Sequence, residues 1–286
     1  MIMPAAITDT FKEDLAKTLY DNVLSTDNFY YVGIGRSNQW SISDTPPDAV
    51  GSVNSIADFR MNLQSIMLGE TVSHVAPRSN WSFGTVYEAY DTAEEDTILD
   101  NTFHYVMTEA NSVYICLEQG KDVNGNAVAS SIEPTGVDAN SFKTADGYVW
   151  KFLYTLGGTE QSNFLSANFI PVKLQGDTNP DSPATDIEQK NIQDSAVLGE
   201  VLSIKVINGG EGYEDTPTVF IDGDGSGASA TATMVNGVIT KIEMDIESDN
   251  TIAHGSGYRN ARVILVGGSP TIDAQLDVVL SQGAAE

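Results

Sequence analysis

The chain has three histidines, His74, His104 and His254. No two stand about three to five residues apart, the spacing that sets a pair of zinc ligands on one element. No GxSxG occurs, so the strained strand-to-helix elbow of one hydrolase class is absent, while a Ser-His-Asp triad gathered from distant segments stays open. DGDGSG (222–227) places Asp222, Asp224 and Ser226 at alternate positions with Gly227 sixth, like the opening of a calcium loop. Thr233 stands where such a loop needs its bidentate Glu, which leaves a tight acidic turn or a calcium site with other donors. The acidic run DTAEEDTILD (91–100) reads as a solvated loop or as a site for an ion or a cationic partner. With 40 acidic residues in the chain, no carboxylate pair is singled out for acid–base work. The expectation is therefore no catalytic residue, no metal ligand and no cofactor.

The elements that would position any site come from a chain of 286 residues, 41% hydrophobic and 19% charged, which is enough for a sizeable core and argues against general disorder. The net charge of −26 repels a phosphate backbone, and no run of Lys or Arg offers a local basic patch, so nucleic acid and anionic membrane are excluded as main partners. Cys116 is the only cysteine, so no intrachain disulfide forms and a reducing compartment is compatible. Neither a basic-then-apolar leader nor a stretch of about 18 apolar residues is present, and a soluble chain is expected.

Thr10 and Glu13 match a capping box, and Phe11, Leu15, Leu19 and Val23 follow on one face, which predicts a helix over 10–24 that packs on the body or meets a partner. Ile56, Phe59, Leu63, Ile66 and Met67 form a stripe ended by Gly69 and predict a second helix over 55–68. From Trp81 onward short runs such as TVYEAY (85–90), FHYVM (103–107) and SVYICL (112–117) lie between polar clusters and read as strands. In DGYVWKFLYTL (146–156), Asp146-Gly147 makes a turn. Alternation then puts Tyr148, Trp150, Phe152, Tyr154 and Leu156 on one face, the face a core would cover.

Residues 176–197 hold two prolines and little apolar content and read as a linker. Beyond it, residues 198–286 carry 13 of the 25 glycines. There GGEGYEDTPTVFI (209–221) returns as GSGYRNARVIL (255–265), with Tyr213 and Tyr258 separated by 258 − 213 = 45 residues. Each copy offers a glycine turn, a tyrosine to cover it and a strand. Asn236-Gly237 between them predicts a hairpin. This tail is expected to be a small all-β module with an internal repeat.

Three motifs end in tryptophan: GIGRSNQW (33–40), APRSNW (76–81) and DGYVW (146–150). Together with the strand SVYICLEQG (112–120) they resemble, in order, the baseplate wedge protein family of T-even-like, contractile-tailed bacteriophages typified by gene product 8. The resemblance covers roughly residues 8–175 and is carried by Gly35, Arg36, Ser37, Trp40, Pro77, Arg78, Trp81, Asp146, Gly147, Tyr148 and Trp150. It implies a non-enzymatic virion subunit, assembled in the host cytoplasm, that forms a homodimer and contacts other wedge and hub-proximal tail proteins. The fold it implies is mainly β, with sandwich-like layers and few helices over 1–175.

In the motifs, Arg36 and Arg78 would stack on an indole or pair with a carboxylate to set loop geometry. Trp150 is expected in the core and Trp40 at an interface. Two rivals stand beside the wedge reading. A tail-fibre or receptor-binding module is suggested by the Gly-rich tail, although heptads are missing. A tail-associated glycan hydrolase would need a carboxylate pair in a cleft.

Overall fold

A computed structural model describes residues 9–35, 53–69, 71–91, 104–172 and 174–281. The fold is mainly β, as the sequence predicts, and the chain divides into two compact units, Met1–His74 and Val75–Glu286. Among the described residues no helix is long and apolar enough to cross a membrane.

The first unit holds α1 (Asp9–Leu24), β1 (Tyr30–Gly35), α2 (Val53–Met61) and β2 (Leu63–Gly69). The predicted helix over 10–24 corresponds to α1; Thr10 lies within it, and the Thr10 and Glu13 side chains fall outside the described ones. The helix predicted over 55–68 is a correction. It stops at Met61, and after Asn62 the chain runs as β2, antiparallel to β1 from Tyr30↔Gly69 to Ile34↔Ser65. The stripe through Leu63, Ile66 and Met67 fits either period over so short a run, and pairing with the β-branched and aromatic YYVGIG decides for extended chain. Gly33 and Gly35 let the two segments meet. A Cβ on Gly33 would lie 2.7 Å from Leu63 Cδ2, and one on Gly35 would lie 2.7 Å from the Asn62 carbonyl oxygen.

The second unit starts within β3 (His74–Pro77), which pairs with β8 (Phe169–Val172). Its centre is a four-stranded sheet in the order β4 (Tyr105–Met107), β5 (Ser112–Glu118), β7 (Val149–Thr155), β6 (Phe142–Lys143). On one face Tyr114, Cys116, Tyr148, Trp150 and Phe152 form an aromatic cluster with Tyr87. On the other, Ile115, Leu117 and Val149 join the core of the glycine-rich tail. Covered on both sides, β5 is buried at six consecutive positions, which explains its unbroken apolar run.

The predicted linker over 176–197 is a second correction. After α3 (Gly158–Phe164) and β8, α4 (Ala184–Asp194) begins behind Pro183 and packs on β7, with Gln189 buried and Ile192 against the aromatic cluster. A proline just before a helix is compatible with its start, so the same residue serves a loop or a helix boundary. The core shared by Ile115, Leu117 and Val149 with Val201, Ile204 and Ile239 also removes the expected domain boundary. Residues 75–286 are one compact unit.

Six tail strands form a closed ring of neighbours: β9 (Val201–Asn208), β16 (Gln275–Leu280), β15 (Ala261–Val266), β10 (Thr218–Gly223), β12 (Ala230–Val235) and β13 (Val238–Met244). The repeat has two halves, β9-β10-β12 and β13-β15-β16. Each antiparallel ladder, β9 with β16, β10 with β15 and β12 with β13, joins one half to the other. The short strands β11 (Ser226–Ala228) and β14 (His254–Ser256) do the same.

The turns of the two halves match as well. Gly210 and Gly212 have φ of 65° and 78°, and Gly255 and Gly257 have φ of 62° and 79°, each pair leading into a buried tyrosine, Tyr213 or Tyr258. Left-handed backbone of this kind suits glycine. The β12–β13 hairpin turns at Asn236 (φ 51°) and Gly237 (φ 77°), two positive angles in succession as its Asn-Gly pair predicts.

Candidate functional site

Three motif residues of the second unit, Trp81, Asp146 and Tyr148, meet in one hydrogen-bonded network, against which Trp150 packs. Thr144 to Tyr148 form a tight turn, in which the Gly147 amide donates to the Thr144 carbonyl (2.9 Å) at φ 91°. Asp146 anchors it. Its Oδ2 accepts from the Ser131 amide (2.7 Å), the Ile132 amide (3.0 Å) and Ser130 Oγ (3.1 Å), and its Oδ1 from Thr144 Oγ1 (2.5 Å). Burial works to raise the Asp146 pKa, but these donors outweigh it and hold the carboxyl below the ordinary value.

Ser130 Oγ also accepts from Trp81 Nε1 (3.2 Å), so it ties the APRSNW and DGYVW motifs together. Tyr148 is stacked on Trp150 at 5.5 Å, donates its hydroxyl to the Val128 carbonyl (2.7 Å) and accepts from the Tyr87 amide (3.2 Å). Tyr87 stands edge-on to Trp150 at 5.6 Å and accepts from the Ser82 amide (2.6 Å). Trp150 is fully buried, in the core as expected.

Pro77 ends β3. Arg78 follows and does fix a loop, but through oxygens other than carboxylates: its Nε donates to Asn80 Oδ1 (2.9 Å) and its Nη1 to the Ser166 carbonyl (2.7 Å). Gly35 closes β1. Arg36, Ser37 and Trp40 lie outside the described residues.

The residues weighed for chemistry are dispersed or engaged. His74 stacks on Tyr20 at 4.5 Å in the first unit, and His104 is edge-on to Tyr90 at 5.9 Å in the second. His254 is buried, with Nδ1 2.7 Å from the Val201 carbonyl and Nε2 2.6 Å from Ser141 Oγ. A neutral ring donating from Nδ1 and accepting at Nε2 satisfies both contacts. Burial lowers its pKa. Ser141 and His254 form a nucleophile–base pair in outline, yet both side chains are buried and the third partner is a backbone carbonyl.

In the acidic turn, Asp224 Oδ1 accepts from the amides of Arg259 (2.8 Å) and Asn260 (2.9 Å), and Asp222 Oδ2 accepts from Arg262 Nε (2.8 Å) and Nη2 (2.6 Å). These carboxylates brace the turn between the repeat halves. Of the acidic run over 91–100, Asp91 pairs with Lys205 and the rest lies outside the described residues. Among the described residues no three His, Cys, Asp or Glu side chains are grouped to hold a metal.

Two cavities are illegible in the sequence. One, of about 620 Å³, is apolar and lies between the sheet, β8 and α4, lined by Tyr105, Ile115, Leu153, Ile170 and Ile192. The other, of about 360 Å³, is polar and lies where the end of β5 meets the outer face of β9 and β13. Lys121, Lys205 and Lys241 line it with Glu88, Glu118 and Glu243. Their spacing along the chain carries no signal, because four separate segments supply them. No protein-family model matches the chain, and no curated protein sequence matches it.

Proposed function

We propose that the chain is a structural subunit of a contractile-tail baseplate wedge, acting by assembly with a second copy of itself and with neighbouring wedge and hub-proximal tail proteins in the virion. The observation that carries this reading is the β1–β2 ribbon of the first unit. Tyr31, Val32, Ile34, Ile66 and Met67 are all more than half exposed along it, and no described residue of the unit is buried. A two-stranded ribbon is marginal on its own in water, and an apolar surface of this kind marks a site of protein contact.

The order of the tryptophan motifs supports the family. Their second-unit members brace turns and fill a core, as suits a rigid assembly part. The acidic charge keeps unassembled chains apart and favours partners with basic rims.

Light scattering on the purified full chain, alone and co-expressed with tail proteins, tests the proposal. A dimer or a heteromeric complex is expected, and Ile34→Asp with Ile66→Asp should dissociate it while the second unit stays folded. A chain that stays monomeric at all concentrations and ignores tail proteins overturns the reading, as does turnover of host-envelope glycan.

A further inference from the structure

We propose that the polar cleft at the junction of the sheet and the strand ring binds a small free oxyanion, a phosphate or a compact carboxylate, through Lys121, Lys205, Lys241 and the Ser203 hydroxyl. The site is independent of the assembly role.

Charge is the first reason. The chain carries −26 and has 14 basic residues, five of them arginine, which leaves nine lysines. Four of the nine gather here, three lining the cleft and Lys143 beside it. Lys205 is matched by Asp91. Glu243 is shared by Lys143 and Lys241, each at 2.6 Å, which leaves one positive charge over. Lys121 has no carboxylate within 4.0 Å among the described residues and is half-buried. Burial, with Lys205 and Lys241 nearby, pushes its pKa down against the pull of Glu118 and Glu243. An anion beside it would relieve both costs.

The second reason is a donor without an acceptor. Ser203 on β9 is 5% exposed, lines the cleft, and its hydroxyl has no hydrogen-bond partner. Buried hydroxyls are almost always paired, and an oxyanion between the lysines would supply the acceptor.

The acidic groups set the terms of binding. Glu88 stands exposed on the cleft wall. Burial raises Glu118 to about 7 against the lowering effects of Lys143, the Met244 amide and Lys121, with Glu243 adding to the rise. Among the described residues, Lys121, Lys143, Lys205 and Lys241 against Asp91, Glu243 and Glu88 leave the cleft a net single positive charge with Glu118 protonated and none with Glu118 ionised. Binding should therefore tighten as pH falls through neutrality.

Isothermal titration of the full chain with sulfate, whose charge is constant between about pH 6 and pH 8, tests this at fixed ionic strength against sodium chloride. Phosphate and malonate serve as further arms, and a response to either counts as oxyanion binding. Saturable one-to-one binding is expected, tighter at the lower pH. Lys121→Ala should weaken it about 10-fold, equivalent to about 1.4 kcal/mol, and Ser203→Ala several-fold. Glu118→Gln should bind tightly and remove the pH dependence. Thermal melting confirms that each variant is folded, with Lys121→Gln as the substitute if alanine is not tolerated. Absence of saturable heat, the same response to chloride, or unchanged affinity in a folded Lys121 variant overturns the proposal.

Discussion

Replacing Glu118 by Gln should make the protein more stable, and by an amount that grows with pH. Glu118 ends β5 where the sheet abuts β13, and its Oε1 is 3.5 Å from the Met244 amide, a long and weak contact. Burial lifts its pKa from the ordinary 4.5 to about 7. Below 4.5 the carboxyl is protonated in both folded and unfolded chains, so its full contribution to stability is present. As pH rises from 4.5 to about 7 the unfolded chain loses the proton first, and that contribution declines until the folded carboxyl also ionises. At about 1.4 kcal/mol per pH unit the interval amounts to about 3.5 kcal/mol. The side chain keeps some contact with solvent, so about 2 kcal/mol is the figure to expect. Glutamine preserves the shape and can still accept from the Met244 amide. Urea unfolding followed by tryptophan fluorescence reads the difference, because Trp150 is fully buried in the same unit. The sequence pI is about 4.1, and solubility falls as net charge vanishes, so the comparison belongs between about pH 5 and pH 8. Over that span the variant should gain about 2 kcal/mol on the parent. A difference that stays flat with pH to within about 0.5 kcal/mol would show that Glu118 is an ordinary ionised carboxylate and refute the reasoning.

Asp146→Ala removes the acceptor of four hydrogen bonds and should destabilise the second unit by about 3 kcal/mol, since donors of a charge-assisted set are left unpaired; thermal melting measures it. Gly212→Ala and Gly257→Ala force alanine into the same left-handed backbone, φ 78° and 79°, at a cost of about 1 kcal/mol each. They should nonetheless differ. A Cβ on Gly212 meets Thr271 Oγ1 at 2.4 Å, whereas one on Gly257 finds nothing nearer than 3.9 Å, so the melting temperature should fall further for Gly212→Ala. Equal losses would mean that the crowding at Thr271 is relieved without cost.

Where a short stretch dictates its own backbone, the sequence can be read directly. Asn236-Gly237 announces its turn, and the paired GxGY segments announce a repeat whose glycine angles agree to within a few degrees. The aromatic alternation from Tyr148 to Leu156 marks a face that is buried throughout. The same reasoning carries the helix of 55–68 through residues 63–68, because apolar positions as few as Leu63, Ile66 and Met67 do not fix the period and only pairing with β1 decides for strand. It also reads 176–197 as linker, because α4 has few apolar residues and needs only one side covered.

The candidate site divides in the same way. Asp146, Gly147, Tyr148 and Trp150 stand out as a motif, yet Ser130, which joins them to Trp81, belongs to no motif. The polar cleft has no local mark at all. By itself the sequence determined a mainly β protein of strong negative charge, its turns, and the burial of the aromatic side of β7, because dihedral preference and burial periodicity are properties of neighbouring residues; that the opposite side is covered too, with Val149 in the core of the tail, only the fold decided. Tertiary structure alone decided that each ladder of the tail would join the two repeat halves, and that lysines from four separate segments would gather in an acidic protein. Both depend on which distant strands pair, and the free energy of that pairing is spread over the whole core.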